Sequence, residues 1–248
     1  MSQFNEQTDN HKAGYIIPSA RWGDDIVVDL ELVKRNLLDI QNKVAPYKSR
    51  IVAVTKYFGL DAIVKGYEAG LRDFGESRAI QAIDKIESLP EEIRKNSNFH
   101  FIGHLQTNKV DKVVKYFNYI HSVDSLKLAK SISKAACQLN KREKVLLQVN
   151  NAEEEQKFGY EKMQLKKEFA QILELPMIEI VGLMNMAPLG ARKDELERLF
   201  SELKTLRDNL ENEFNVQLPE LSMGMSDDYE IALENGSTIV RIGRKLFK

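Results

Sequence analysis

Lys56 directly follows the run IVAVT and is the first residue whose type and position suit chemistry. An ammonium on a flexible stem at a strand end, once partly buried, becomes a better nucleophile toward a carbonyl. A second set lies in LSMGMSDDYEIALENGSTIVRIGR, residues 221–244. Ser226, ahead of Asp227 and Asp228, reads as the N-cap of a helix running to about Asn235. Gly236 closes that helix, Arg241 falls in a short alternating strand, and Gly243 follows at the strand's carboxyl end. Free N–H groups, a glycine that lets backbone approach a ligand and an arginine that must pair if buried together suggest a phosphate seat. Read in isolation, the same stretch is an ordinary cap, turn and strand.

Other polar residues are weaker candidates. NFHFIGH places His100, Ile102 and His104 on one strand face. Two histidines without a third ligand at suitable spacing favour structural hydrogen bonding over metal binding. Asn150, ending QVN, and Met184, ending GLM, are strand-end residues placed to contact a ligand, while Glu153–Glu155 with Lys157 reads as a solvated loop or helix start. The chain assembles no Ser-His-Asp triad, P-loop or zinc motif.

These residues need a scaffold that brings residue 56 to residue 241. From Asp29, the apolar positions Leu30, Val33, Leu37, Ile40 and Val44 predict a helix that Pro46 ends. Strands and helices then alternate. Strands are expected at 50–55, 71–74, 99–103, 119–123, 145–150, 178–184, 221–223 and 238–242. Between them run helices striped by Ile63 and Val64; Ile80, Ile83 and Ile86 from Glu76 on; Val110, Val113 and Val114; Ile132, Ala136 and Leu139; Leu165, Phe169 and Ile172; and Leu196 to Leu210.

Eight β-α units in about 250 residues fit a single α/β domain, a closed parallel (β/α)8 TIM-type barrel with an extra N-terminal helix, better than a doubly wound sheet; no G-x-G-x-x-G follows the first strand. The active face of such a barrel lies at the strands' carboxyl ends, and closure makes the first and eighth strands neighbours. Residues 1–24 are expected to form a polar extension anchored by Trp22, and 25–248 the barrel domain.

The 36 Lys plus Arg against 37 Asp plus Glu give a formal charge of −1, so no global field attracts nucleic acid or an acidic membrane. No apolar window approaches a membrane span, and the single Cys137 cannot form an internal disulfide, so the expectation is a cytoplasmic protein with Cys137 in core packing. No long exposed apolar helix calls for a partner, which leaves a monomer as the expectation.

With these residues in place, the chain resembles, almost end to end, the pyridoxal-phosphate homeostasis family, relatives of the barrel domain of alanine racemase. The resemblance is carried by VAVTK around Lys56, FGES at 74–77, FHFIGHLQTNK at 99–109, QVNNAEEEQKFGY at 148–160, GLMNMAP at 182–188 and the 221–244 stretch. It implies pyridoxal 5′-phosphate (PLP) as cofactor, held as an internal aldimine on Lys56. Ser77, His100, Asn150 and Met184 are further expected binding residues. The resemblance also implies that Ser226 and the backbone of Gly243 and Arg244 hold the phosphate and that Arg241 lies near the pyridine nitrogen. An arginine there keeps that nitrogen unprotonated and weakens the ring as an electron sink. The implied role is a holder that buffers, carries or delivers PLP, with apo PLP-dependent enzymes as transient partners. The alternatives are an amino-acid racemase, which needs acid/base groups on both substrate faces and an additional β-domain not expected here, and a cofactor-free Schiff-base aldolase using Lys56. The chain departs from the family pattern at Ser77, where asparagine is usual, at Ile80 and Gln81, and at Tyr57 and Phe58.

Overall fold

The computed structural model describes residues 27–152 and 158–248. The expected polar extension with Trp22, and the 153–157 run, lie outside the described residues. Eight parallel strands close on themselves in sequence order: β1 (Arg50–Val54), β2 (Asp73–Glu76), β3 (Asn98–Phe101), β4 (Tyr119–Val123), β5 (Glu143–Gln148), β6 (Ile178–Met184), β7 (Glu220–Met225) and β8 (Ile239–Ile242). Closure is made by β1 pairing with β8, Arg50 opposite Ile239 and Val52 opposite Arg241. The helices are α1 (Leu30–Val44), α2 (Leu60–Glu68), α3 (Ala79–Ser88), α4 (Glu91–Lys95), α5 (Val110–Tyr116), α6 (Leu126–Gln138), α7 (Lys162–Leu173), α8 (Lys193–Phe214), α9 (Tyr229–Glu234) and α10 (Arg244–Phe247).

Helical periodicity explains why the outer ring forms. On α8, Leu196, Leu199, Leu203, Leu206 and Leu210 recur at intervals of three and four and are all buried. Each contributes roughly 1.5–3 kcal/mol of burial relative to exposure. Asp29 caps α1 by accepting a hydrogen bond from Glu31 N at 3.0 Å, and Val33, Leu37, Ile40 and Val44 form its buried stripe.

At the amino ends of the strands the charges pair with one another. Arg50 Nη2 lies 2.9 Å from Glu220 Oε1, and Thr238 Oγ1 donates to Glu220 Oε2 at 2.6 Å. Such mutual pairing closes the barrel floor.

Several sequence expectations are corrected. The second strand runs from Asp73 to Glu76 rather than 71–74, so Glu76 ends a strand instead of starting a helix. Gly75 and Glu76 look unlike strand residues. Here the missing side chain of Gly75 leaves room for Val52 and Ile102, whose carbons would lie 2.9 and 3.2 Å from an added Cβ. Ile80 is exposed, because only Ile83 and Ile86 of that stripe turn toward the sheet. On α6 the buried face ends at Ala136; Cys137 and Leu139 are exposed, so Cys137 is not part of the core.

Candidate functional site

The backbone around Lys56 is pinned from two sides. The Thr55 carbonyl accepts from Phe58 N at 3.0 Å and from Lys85 Nζ at 3.0 Å. Phe58 is buried against Phe247, ring centroids 5.0 Å apart, so it anchors the turn that carries Lys56. Lys56 itself is half-buried, its Nζ 5.0 Å from the centroid of the exposed Tyr57 ring.

Lys85 was not anticipated from sequence. It is fully buried, 2.9 Å from Glu76 Oε1, and the same oxygen accepts from Thr55 Oγ1 at 2.8 Å. The signal was present in the helix period: Lys85 lies three residues after Ala82, on the face of α3 that also buries Ile86.

Across the closure, Gly243 lies against the end of β1. A Cβ at this position would lie 3.2 Å from Val54 O, two residues before Lys56, a tight contact that glycine avoids. Ser226 does not cap the helix that follows it. Strand β7 runs on to Met225, a turn covers 226–228, and α9 begins at Tyr229 after Asp228. Its hydroxyl instead accepts from Gly243 N at 3.3 Å and Lys245 N at 3.4 Å, at the start of α10. These long contacts make Ser226 a cap for the C-terminal helix and leave those amides only loosely engaged. The Arg244 side chain is exposed and paired with Asp227 at 2.5 Å, while the contacts to Ser226 are made by the backbone of its neighbours.

Arg241 is 4% exposed, and burial lowers its pKa to about 10 against a partial counter-effect from Asp228. Its hydrogen bonds among the described residues are to neutral acceptors, Ser222 Oγ at 2.7 Å and Asn185 O at 2.8 Å. Among the described residues no carboxylate lies within ion-pair distance of it. A guanidinium has five N–H donors, so this one retains capacity for a ligand acceptor.

Met184 is fully buried with Leu146, Val181 and Tyr119 in a cluster of its own. Asn150 is half-buried, its N–H donating to Tyr160 O at 3.0 Å. Ser77 packs its backbone on Gly103, where a Cβ would fall 2.3 Å from Ser77 O. It also lines a groove of about 930 Å³ with Gln81, Asp84, Glu87, His104 and Lys109. That groove includes neither Lys56 nor Arg241.

The two histidines of NFHFIGH part company. His104 is on the surface, stacked on Phe158 at 3.6 Å and 3.4 Å from Asp124 Oδ2. His100 is wholly buried, between Asp73 Oδ1 at 3.0 Å and His121 Nε2 at 2.9 Å. His121 and Ser222 were missed in the sequence, although each is a polar residue inside a largely buried strand. Among the described residues no cluster of three or more His, Cys, Asp or Glu could hold a metal ion, and no helix is long and apolar enough to cross a membrane.

Comparison with known proteins gives this geometry a context. Residues 28–248 match the family model described as alanine racemase, N-terminal domain. The pyridoxal phosphate homeostasis protein of Synechocystis sp. is 43% identical over 202 residues, covering 82% of this chain and 92% of that protein. The chain belongs to the pyridoxal phosphate homeostasis protein family. A second member, from Aquifex aeolicus, is 41% identical over 80% of this chain and 86% of its own length. Among solved structures, PipY of Synechococcus elongatus PCC7942 with PLP bound aligns with a TM-score of 0.80 at 35% identity, covering 87% of this chain and all of that one. An alanine racemase of Clostridium difficile shares the fold, TM-score 0.73, at 16% identity, with 88% of this chain covering 57% of that one.

Proposed function

We propose that this chain binds pyridoxal 5′-phosphate and serves its homeostasis in the cell, holding and releasing the cofactor rather than using it for turnover. The observation that carries the reading is Arg241: a buried guanidinium whose hydrogen bonds are to neutral acceptors, with donors to spare. Placed by the ring nitrogen, such a cation disfavours protonation there and holds the ring as a poor electron sink. The donor set suits the rest of the molecule. Lys56 supplies an amine for the aldehyde, and Ser226 with the loosely engaged amides of the 243–245 segment suits a phosphate. Asn150, Met184, Ser77 and His100 complete the surroundings in this proposal, with His100 acting at a distance.

When bound, the cofactor supplies an aldehyde that condenses reversibly with amines. The chain's own residues would hold the phosphate, orient the ring and limit its chemistry. Apo PLP-dependent enzymes are the proposed recipients, the cytoplasm the proposed location and a monomer the proposed state.

Titration of the full chain with PLP, followed by absorbance, tests the reading. Saturable binding with a new band that disappears in Lys56→Ala is expected; a band retained in Lys56→Ala, or no binding, contradicts it. Incubation of the loaded protein with L-alanine separates holder from racemase: D-alanine formed at enzyme-like rates would overturn the holder.

A further inference from the structure

A line of polar groups, buried except for the half-buried Asp73 at its end, runs through the barrel interior behind Arg241. Arg241 Nη1 donates to Ser222 Oγ at 2.7 Å, and Ser222 Oγ lies 2.9 Å from His121 Nδ1. His121 Nε2 lies 2.9 Å from His100 Nδ1, and His100 Nε2 lies 3.0 Å from Asp73 Oδ1. Four bonds thus join five residues drawn from β8, β7, β4, β3 and β2.

The two ends of this chain, with neutral imidazoles between them, settle the direction of every hydrogen. A guanidinium only donates and an ionised carboxylate only accepts, and a neutral imidazole accepts once and donates once. With both imidazoles neutral, one assignment satisfies every bond. Ser222 accepts from Arg241 and donates to His121 Nδ1, His121 Nε2–H donates to His100 Nδ1, and His100 Nε2–H donates to Asp73. The surroundings favour the neutral rings: burial lowers the pKa of both, and for His121 the neighbouring His100, Arg241 and Arg50 lower it further. His100 is stacked on Tyr119 at 4.5 Å, and Arg50 Cζ lies over that ring 5.4 Å from its centroid, which leaves the His100 imidazole little room to turn.

We infer that Asp73, His100, His121 and Ser222 form a one-way hydrogen-bond chain that positions Arg241, keeping a lone pair of Ser222 on its guanidinium so that the remaining N–H donors face a ligand. None of the four touches the ligand in this arrangement; all act through Arg241. The alternative role, polar groups that only satisfy one another, would fix the same tautomers but would not alter the bound cofactor. The effect on the cofactor rests on the proposed function, whereas the direction of the chain does not.

Two readouts test this on the full chain. In protein carrying ¹⁵N-labelled histidine and no added cofactor, NMR near neutral pH should show His100 and His121 protonated on Nε2 alone. Protonation on Nδ1 of either ring would overturn the inference. With PLP added, Ser222→Ala should bind about tenfold more weakly and with a displaced absorption maximum, as expected for a lost bond to a charged group. Ser222→Thr, which keeps the hydroxyl, should restore both. Affinity and band unchanged in Ser222→Ala would overturn the positioning role. Should the wild-type chain bind no PLP, the proposed function fails, and the nitrogen readout still decides the direction of the chain.

Discussion

Lys85 and Arg241 are both buried cations flanking β1, and they are satisfied in opposite ways. Lys85 has a carboxylate at 2.9 Å and a backbone carbonyl at 3.0 Å, both supplied by the fold. Arg241 has a hydroxyl and a carbonyl, both neutral, and no carboxylate in contact among the described residues. A buried charge whose partner is built in belongs to the scaffold; one left with unused donors is ready for an anion or acceptor from outside. The comparison separates the part of this chain that holds Lys56 in place from the part that would hold a ligand.

The largest effect should come from breaking the satisfied pair. Lys85→Met leaves the buried Glu76 without its counter-ion, the Thr55 hydroxyl still donating to it, and is expected to cost about 3–5 kcal/mol in urea unfolding. Adding Glu76→Gln to it should recover much of the loss. A cost near zero for Lys85→Met would show that the pair is not what holds the end of β1.

Glu143 is an intermediate case. Lys141 Nζ lies 2.7 Å from its Oε2, yet that ammonium also donates to the carbonyls of Val114 and Phe117, and burial prevails, pushing the Glu143 pKa up to about 7. A carboxyl raised from 4.5 in the folded state keeps a proton that the unfolded chain gives up. Its contribution to stability is therefore full below about pH 4.5 and is lost as pH rises to about 7, by at most about 3 kcal/mol. Unfolding free energies of wild type and Glu143→Gln across this window should diverge accordingly; parallel curves would remove Glu143 from the comparison.

Arg241→Leu should reverse the pattern of Lys85. Stability without ligand is expected to stay within about 1 kcal/mol, since lost hydrogen bonds offset relief of a buried charge. Retention of PLP should fall on the order of tenfold to a hundredfold. Equal PLP affinity in Arg241→Leu and wild type would mean that the unused donors are not a ligand contact. Smallest is Ser226→Ala, expected to loosen the start of α10 by about 1 kcal/mol, seen as faster hydrogen exchange at Gly243 and Lys245, with a few-fold loss of PLP retention.

The barrel was legible in the sequence because its signals are local. β4 and β6 have the expected bounds, and the α1 and α8 stripes are buried as the period requires. Where Gly75 and Glu76 replace β-branched residues, the strand was displaced, since what makes them strand residues comes from Val52, Ile102 and Lys85 far along the chain. In the 221–244 stretch the cap was misassigned, since Ser226 caps the helix that follows β8 and not the next one. The same limit hid His121 and Ser222, whose partners lie on other strands: a polar residue in a buried strand signals a need for partners and not their identity.

The most direct test is chemical. Full-length protein loaded with PLP is reduced with borohydride and its peptides are mapped by mass. A cofactor adduct on Lys56, absent from Lys56→Ala, is predicted. No adduct, or one that falls on other lysines and persists in Lys56→Ala, would contradict it.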